Sequence, residues 1–325
     1  MKAWMSSSLY AEPISFPGMP RRVAITGIAG NLGKALARLL HTETSLVGID
    51  RRPFLDRPKD VEHHQLDLRK KKVEEVFRRG RLEALIHLGM IHDPRVPFAE
   101  AHSFNILGTK KVLELCVRHG VRKVVVLSSA DVYGPLPENS NFLTEEMPLM
   151  AAGRFSGVRD LIELDMYAQS FMWKHPELEA VILRPVHIVG PTVRNAPSNY
   201  LRLELPITVL GFDPMIQLLH EEDAALAMVL ALKPGIRGIY NVAGPGEVPL
   251  SRALKELGRR PVPVPHPLAR PLVRKLFEAR LTSFPPGEVD HLQYLCAVDG
   301  SRAARDLGFT PRYSLRDTIR SVLAR

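Results

Sequence analysis

The chain has 325 residues, a formal net charge of +9 and a pI of about 9.7. This length suffices for a large buried core with an appended lobe. The basic charge raises nucleic-acid binding as an alternative, but no recognition-helix pattern and no basic strand studded with aromatic residues accompanies it. We therefore favour an anionic small molecule over nucleic acid as the partner.

The sequence contains no segment typical of membrane insertion or export. No apolar run approaches the roughly 18 residues of a membrane span, and residues 1–20 lack the continuous apolar stretch of a signal peptide. Of the two cysteines, Cys116 lies in a helical pattern, which favours a buried thiol over a disulfide. We therefore predict a cytoplasmic protein in which residues 1–20 form a disordered extension, with Met19 as an alternative start.

A glycine-rich turn opens the predicted fold. Residues 23–25 predict a buried strand and residues 34–40 a helix, and between them stand Gly27, Gly30 and Gly33. The first glycine permits a tight turn, the second lets backbone approach a pyrophosphate, and the third lets the helix pack on the strand. This spacing alone is weak evidence, but a second apolar strand at 46–49 ends in Asp50, where an acid accepts adenosine ribose hydroxyls. The segment therefore predicts a dinucleotide site.

The rest of the chain alternates apolar strand patterns with amphipathic helix patterns. The basic segment 69–81 carries apolar residues at helical spacing, so its charges form the solvated face of a surface helix. Further strands are predicted at 61–66, 82–88, 123–128 and 180–185, and longer helices at 98–118 and 156–173. This alternation predicts an α/β fold, a doubly wound parallel sheet of Rossmann type. Ligands bind at the carboxyl ends of such strands, so the loops there form one site.

Nine segments in a fixed order carry a family resemblance. They are TGIAGNLG at 26–33, Asp50, Asp67-Leu68, HLGM at 87–90, FNILGT at 104–109, LSSADVYG at 127–134, LRPVHIVGP at 183–191, HEEDAALAM at 220–228 and VDGSRAARDLGF at 298–309. Together they resemble the extended short-chain dehydrogenases/reductases, the group of NAD-dependent sugar-nucleotide epimerases and dehydratases, over about residues 21–323.

The resemblance implies two lobes. The Rossmann domain would comprise residues 21–190 and 213–244, with 217–242 returning to the large sheet. A smaller C-terminal substrate lobe would comprise residues 191–212 and 245–325. The proline-rich segment 261–271 is predicted to be an extended strand and a helix entry within that lobe.

NAD is the predicted cofactor. Asp50 would accept hydrogen bonds from a free 2′-hydroxyl and repel a 2′-phosphate, so NADP should be the weaker ligand. Arg51 and Arg52 are the exception to this argument, because they could hold a phosphate if they swing over the ribose.

The resemblance also assigns roles within the cofactor site. Asp67 would meet the adenine amino group, Gly89 would lie against the pyrophosphate, and Asn105 would brace the helix beneath the site. The full set of predicted cofactor contacts is Gly27, Gly30, Asn31, Leu32, Gly33, Asp50, Arg51, Asp67, Leu68, Leu88, Gly89, Asn105, Arg159 and Pro185.

The chain departs from the family at its catalytic pair. Members carry Tyr-x-x-x-Lys on the helix after the fifth strand, and counting back from the LRP motif puts that pair at Phe155 and Arg159. Phenylalanine has no proton to give, so the usual acid/base group is absent. Arginine keeps its charge and can still bind ribose hydroxyls. The alternative for Arg159 is a surface helix charge paired with Glu163.

Other polar residues are candidates for the missing acid. Ser129 stands at the position of the family's catalytic serine or threonine, Asp131 resembles the site of a dehydratase acid, and His187 replaces a frequent asparagine. His92 lies in the loop after the fourth strand. A turn or cap role for Asp131, a half-buried imidazole for His187 and a solvated side chain for His92 are the ordinary alternatives. An acyl-transfer pair of Ser129 and His187 lacks a nucleophile-elbow pattern.

Two hypotheses remain open at this level. The first is an NAD-dependent enzyme of epimerase/dehydratase type acting on a small molecule such as a nucleotide sugar, although His187 and Val189 depart from the family's sugar-nucleotide pattern. The second is a non-catalytic dinucleotide-binding sensor or scaffold. The twelve histidines are scattered without paired spacing near acids, so we predict no metal site. The apolar helices 98–118 and 156–173 resemble the family's dimer interface and predict a homodimer.

Overall fold

The structure is a computed structural model that describes residues 18–93, 95–151, 158–282 and 284–324. Its largest element is a seven-stranded sheet in which every neighbouring pair is parallel. The described strands are β1 Arg22–Thr26, β2 Ser45–Asp50, β3 Glu62–Gln65, β4 Ala84–His87, β5 Lys123–Leu127, β6 Glu179–Pro185, β7 His187–Val189, β8 Ile207–Val209, β9 Met215–His220, β10 Gly238–Val242, β11 Glu247–Pro249 and β12 Val262–Val264. The order across the large sheet is β10-β6-β5-β4-β1-β2-β3, which confirms the predicted Rossmann architecture.

Helices cover both faces of the large sheet. The described helices are α1 Asn31–Leu40, α2 Val73–Gly80, α3 Phe98–His102, α4 Gly108–Arg118, α5 Arg159–Lys174, α6 Ala196–Arg202, α7 Glu221–Leu230, α8 Leu250–Glu256, α9 His266–Glu278, α10 Ser301–Leu307 and α11 Leu315–Ser321. The helix predicted at 98–118 contains a π-helical turn, Ser103–Leu107, between α3 and α4. A π turn inserts an extra residue into the helical repeat and is frequent near functional sites.

Strand β1 shows why most strands of the large sheet are continuous apolar runs in the sequence. Val23 and Ile25 point to one face and pack with α1, whereas Ala24 points to the other face, and all three are fully buried. Full burial of one such branched side chain contributes about 1.5–3 kcal/mol. A strand covered on both faces therefore has no polar alternation.

Two small sheets build the rest of the structure. One has the order β11-β9-β7, and the other pairs β8 with β12. A separate apolar core lies beneath them, with Tyr200, Leu254 and Phe284 among its members. The strand and helix entry predicted at 261–271 are present as β12 and the start of α9.

One prediction about the large sheet is wrong in part. Of the segment 217–242, only β10 joins that sheet, whereas β9 pairs with β7 and β11. The chain leaves the large sheet after Pro185, and Val186 donates its N–H to the carbonyl of Val242 as the last link. The next strand, β7, lies outside the large sheet, and β9 pairs with it instead.

Along the described parts of the chain, we find no helix that combines the length and the apolar character needed to cross a membrane. Both cysteines are free thiols, and Cys116 is buried as predicted.

Candidate functional site

The turn between β1 and α1 allows very close backbone contact. Gly27 has a φ of +74°, and a Cβ there would lie 2.9 Å from the carbonyl carbon and oxygen of Leu88. A Cβ at Gly33 would lie 2.5 Å from the carbonyl oxygen of Gly27. Gly30 precedes α1, and no side chain caps the amides of the first helical turn. The turn therefore fits a pyrophosphate, whose charge these amides and the helix dipole favour.

Other predicted cofactor contacts line the same edge of the sheet. Asn31, the first residue of α1, donates from Nδ2 to the carbonyl of Thr192 at 2.6 Å. Leu32 is half-buried against the core, and Pro185 is buried at the end of β6. The two apolar residues shape the edge, while Asn31 ties the glycine turn to the segment that follows β7.

Asp50 ends β2 as predicted, but its carboxylate already has a partner. Both of its oxygens accept hydrogen bonds from the Arg52 guanidinium, at 3.2 Å from Nε and 3.1 Å from Nη2. The same Nη2 would lie 3.3 Å from a Cβ added to Gly30. Ribose hydroxyls therefore have to exchange with Arg52 to reach Asp50. Arg51 lies elsewhere, with its guanidinium 5.3 Å from the ring centre of Phe104.

Asp67 is likewise held by an arginine. Its oxygens accept from Arg69 Nε at 3.0 Å and Nη2 at 2.6 Å, and these hydrogen bonds lower the pKa of Asp67 below its ordinary value. Leu68 is fully buried, and its Cδ1 would lie 2.8 Å from a Cβ on Gly89. An adenine amino group would have to compete with Arg69 for Asp67, whereas Leu68 packs as an apolar surface beneath Gly89.

A buried hydrogen-bonded chain runs beneath the glycine turn. Thr26 Oγ1 lies 2.7 Å from His87 Nδ1, and His87 Nε2 lies 2.8 Å from Thr109 Oγ1. The Thr109 hydroxyl donates in turn to the carbonyl oxygen of Asn105. Burial lowers the pKa of His87 to about 4, so this ring is neutral near pH 7. The chain joins the carboxyl ends of β1 and β4 to the π-helical turn.

The side chain of Asn105 extends this network to α5. Its Oδ1 accepts from the N–H of Ile91 at 2.8 Å, and its Nδ2 donates to Asp160 Oδ2 at 3.0 Å. The other oxygen of Asp160 lies 2.7 Å from His102 Nδ1. Asn105 therefore joins the loop after β4 to the start of α5.

The predicted replacement for the Tyr-x-x-x-Lys pair is described only in part. Phe155 lies outside the described residues. Arg159 begins α5, is exposed and lines a shallow hollow with Lys110, Glu163 and Met166. This placement favours the alternative of a surface helix charge over a ribose contact.

Ser129, Asp131 and His187 lie together at the ends of β5 and β6. Ser129 precedes a 3-10 turn, and its Oγ accepts from the N–H of Asp131 at 3.1 Å. Oδ1 of Asp131 lies 3.1 Å from Nε2 of His187. Burial alone would raise the pKa of Asp131, but the charge of His187 and the hydrogen bond with it lower that pKa well below its ordinary value. Burial alone would lower the pKa of His187, but the carboxylate raises it above its ordinary value.

Two neighbours of this group were missed by the sequence analysis. His291 and Glu288 lie in the 3-10 helix Pro286–Leu292, with the His291 ring centre 5.1 Å from that of His187. Glu288 Oε2 lies 3.7 Å from His291 Nε2. Burial and the charge of Asp131 raise the pKa of Glu288 to about 7, and burial lowers that of His291 to about 4. We call Asp131, His187, Glu288 and His291 the Asp/His cluster.

The sequence predicts no metal site because its histidines lack paired spacing, but the fold brings residues together that are distant in the sequence. Asp131, His187 and His291 can each offer one ligand atom, and these atoms lie within 4.8 Å of one another. The residues come from distant parts of the chain, so no spacing in the sequence reveals them. His92, the other histidine considered as an acid, is exposed in the loop after β4.

The turn that carries Ser129 rests on a buried ion pair. Arg184 donates to Asp165 from Nε at 2.9 Å and from Nη2 at 2.7 Å, and neither side chain is more than 1% exposed. Ser128 donates to the same carboxylate at 2.6 Å, and Arg184 Nη1 donates to the hydroxyl of Tyr133 at 2.8 Å. Because Ser128 and Tyr133 flank the 3-10 turn, the ion pair fixes its backbone.

The chain is similar to known proteins in both sequence and structure. The uncharacterized protein Rv0501 of Mycobacterium tuberculosis is 28% identical over 308 residues, covering 92% of this chain and 82% of the relative. The structure is similar to that of MoeE5 in complex with UDP-glucuronic acid and NAD, with a TM-score of 0.71 and 24% identity over 92% of this chain and 97% of that one. It is also similar to the UDP-glucose 4-epimerase of Thermus thermophilus in complex with NAD, with a TM-score of 0.70 and 22% identity over 93% and 97%.

At these identities the two solved structures establish the fold. The family is established by sequence, because the profile of the NAD dependent epimerase/dehydratase family matches residues 23–243, more than half of the chain. The match begins at β1 and ends just after β10, so it covers the glycine turn, Asp50, Ser129 and His187. This chain belongs to the NAD dependent epimerase/dehydratase family.

Proposed function

We propose that this protein binds NAD and uses it to oxidise and reduce a hydroxyl-bearing small molecule, with a nucleotide sugar as the substrate class. The observation that carries the proposal is the convergence of Ser129, Asp131 and His187 at the sheet edge that also bears the glycine turn. Polar groups grouped at the carboxyl ends of parallel strands are typical of a substrate site.

The chain's own groups would hold the cofactor as follows. The free amides of the first turn of α1 bind the pyrophosphate, and Asp50 accepts ribose hydroxyls once Arg52 moves aside. Asn105 holds the loop after β4 in place beneath them. When bound, NAD supplies a nicotinamide ring that accepts or returns a hydride.

Proton movement falls to the residues at the ends of β5 and β6. The Ser129 hydroxyl accepts from a backbone N–H, which leaves its own proton to donate to a substrate oxygen. Asp131 raises the pKa of His187, and the protonated ring can donate a proton to an oxygen that gains negative charge. These groups would do the work that Phe155 cannot do, and they make this an atypical active site for its family.

Support for a nucleotide sugar comes from two sources. MoeE5 binds UDP-glucuronic acid, and the Thermus thermophilus protein is a UDP-glucose 4-epimerase. The net charge of +9 favours an anionic ligand of this kind.

A second candidate is a non-catalytic NAD-binding sensor or scaffold. Phe155 stands where the family's tyrosine is expected, and Arg159 is exposed at the start of α5. Both observations fit a protein that keeps the cofactor turn but has lost the catalytic pair.

Calorimetry and turnover assays separate these functions. We expect NAD binding by the purified chain, and slow epimerisation or oxidation when NAD is supplied with UDP-glucose or UDP-glucuronic acid. Ser129→Ala and His187→Asn should each reduce turnover by about 100-fold while NAD affinity stays within twofold. NAD binding without any turnover of these substrates would favour the sensor, and failure to bind NAD would refute both functions.

We also propose a homodimer formed through α4 and α5. Leu107, at the end of the π-helical turn before α4, and Met166 and Trp173 of α5 expose 57%, 57% and 79% of their surface, which is more apolar surface than a solvated helix pair needs. The proposed division into a Rossmann domain of residues 21–190 and 213–244 and a substrate lobe of residues 191–212 and 245–325 places the dimer face on the Rossmann domain. A cytoplasmic location fits the free thiols.

A further inference from the structure

The Asp/His cluster combines ligand types that transition metals prefer. Asp131 follows β5, His187 begins β7, and His291 lies in the 3-10 helix Pro286–Leu292, so three separate segments converge. Imidazole nitrogen together with carboxylate oxygen suits Zn²⁺ and related divalent ions, whereas Mg²⁺ and Ca²⁺ prefer oxygen alone. The convergence of two imidazoles and a carboxylate therefore points to a specific class of ion.

The spacing of these groups is close to what such an ion requires. A tetrahedral Zn²⁺ with bonds of about 2.0–2.1 Å sets its ligand atoms about 3.3 Å apart. Asp131 Oδ1 and His187 Nε2 are already 3.1 Å apart, and the ligand atoms of all three residues lie within 4.8 Å of one another. The widest pair has to close by at most about 1.5 Å, which side-chain rotation can supply.

Charge and exposure also agree with an exchangeable ion. Glu288 places a second carboxylate oxygen 3.7 Å from His291 Nε2, so two carboxylates face the two imidazoles and can balance a dication. The side chains of Asp131, His187 and His291 are 26%, 18% and 11% exposed, which leaves a path from solvent. Three protein ligands with an open side are typical of a site that keeps one position for water or substrate.

We propose that Asp131, His187 and His291 bind a divalent transition-metal ion, with Zn²⁺ as the best match. If the proposed function holds, His187 as a metal ligand would be neutral, and a zinc-bound water, which loses its proton near pH 7, would take over its role as proton donor and acceptor beside Ser129.

Metal titration of the full chain tests the site without reference to activity. Protein without a histidine tag is stripped with a chelator and titrated with zinc chloride in a calorimeter. We expect one Zn²⁺ per chain, and an affinity at least about 100-fold weaker in His187→Ala and in His291→Ala. His266→Ala is the matched control, since His266 is exposed at the start of α9 and should leave the affinity unchanged.

A spectroscopic arm keeps the test valid if a variant folds poorly. Stripped wild-type protein loaded with Co²⁺ should show the visible absorption of a low-coordinate site, and Asp131→Asn should shift or remove it. An absence of zinc binding by the wild type, equal affinity in all histidine variants, or the spectrum of aqueous Co²⁺ would overturn the proposal. NAD binding measured on the stripped protein reports on the proposed function alone, so the two can fail separately.

Discussion

Removal of the buried arginine beneath the candidate site should be strongly destabilising. Arg184→Met keeps much of the side chain's volume but deletes both hydrogen bonds to Asp165 and the one to Tyr133. The Asp165 carboxylate is then left at 0% exposure with Ser128 and Gln169 as remaining donors. Loss of one partner of such a pair costs about 3–5 kcal/mol. For a chain of this length, that corresponds to a drop in Tm of about 4–7 °C.

A double-mutant cycle isolates the charge from the packing. Asp165→Leu added to Arg184→Met removes the stranded carboxylate, so the double variant should recover about 2 kcal/mol or more relative to the sum of the single losses. The measurement is urea unfolding followed by circular dichroism, with a single transition as the condition for reading a free energy.

An exposed ion pair provides the matched control. Arg118 donates to Glu74 at 2.8 Å on the surface, and Arg118→Met should leave the unfolding midpoint nearly unchanged. If Arg184→Met were as mild as Arg118→Met, or if the double variant lost the full sum of the single losses, the reasoning about the buried pair would be wrong.

Four other outcomes are expected. NAD should bind more tightly than NADP in calorimetry because Asp50 repels a 2′-phosphate, and equal affinities would refute this. Light scattering at micromolar concentration should give the mass of a dimer, and Trp173→Lys should give a monomer; a monomeric wild type contradicts the proposed interface. With NAD bound, Phe155→Tyr combined with Arg159→Lys should give a tyrosine that keeps its usual pKa of about 10, because position 159 is exposed on α5; a tyrosine that titrates lower would show that the pair does lie in the site. In metal-free protein, the raised pKa of His187 stabilises the fold below its ordinary value of 6.5 and ceases to do so as pH rises through the raised value. The stability difference between wild type and His187→Asn should therefore be largest below the ordinary pKa of 6.5 and shrink as the pH rises above it, and a difference that does not change with pH would contradict this.

The cofactor turn could be predicted because its determinants are local. A Cβ at Gly27 or Gly33 would collide with backbone, so glycine is required at both positions. These positions lie within a few consecutive residues and can be recognised in the sequence. Asp50 was predictable for the same reason, since it is the last residue of β2, the short apolar strand that follows α1. The partner of Asp50 was only partly predictable, because the sequence names Arg52 without showing which way its side chain turns.

The candidate catalytic group could be predicted only in part. Asp131 and His187 follow strands whose carboxyl ends meet, so strand order alone brings them near each other. His291 and Glu288 come from a 3-10 helix in a part of the chain with no recognisable motif, and only tertiary packing brings them in. The rotation of α5 about its axis is also set by packing, which is why Asp160 turns inward while Arg159 is exposed.

The buried chain from Thr26 to Asn105 has a fixed direction. Thr109 uses its only hydroxyl proton on the carbonyl of Asn105, so it must accept a hydrogen bond from His87 Nε2, and His87 Nδ1 must accept one from the Thr26 hydroxyl. The neutral ring is therefore the tautomer with its proton on Nε2.

This direction determines which amides remain for a ligand. With its hydroxyl proton directed at His87, Thr26 Oγ1 has two lone pairs left, and the N–H groups of Leu88 and Gly89 occupy both at 3.2 Å. The N–H of Gly89 is therefore already used in a hydrogen bond to Thr26. A pyrophosphate can lie against Gly89 but must draw its hydrogen bonds from the first turn of α1.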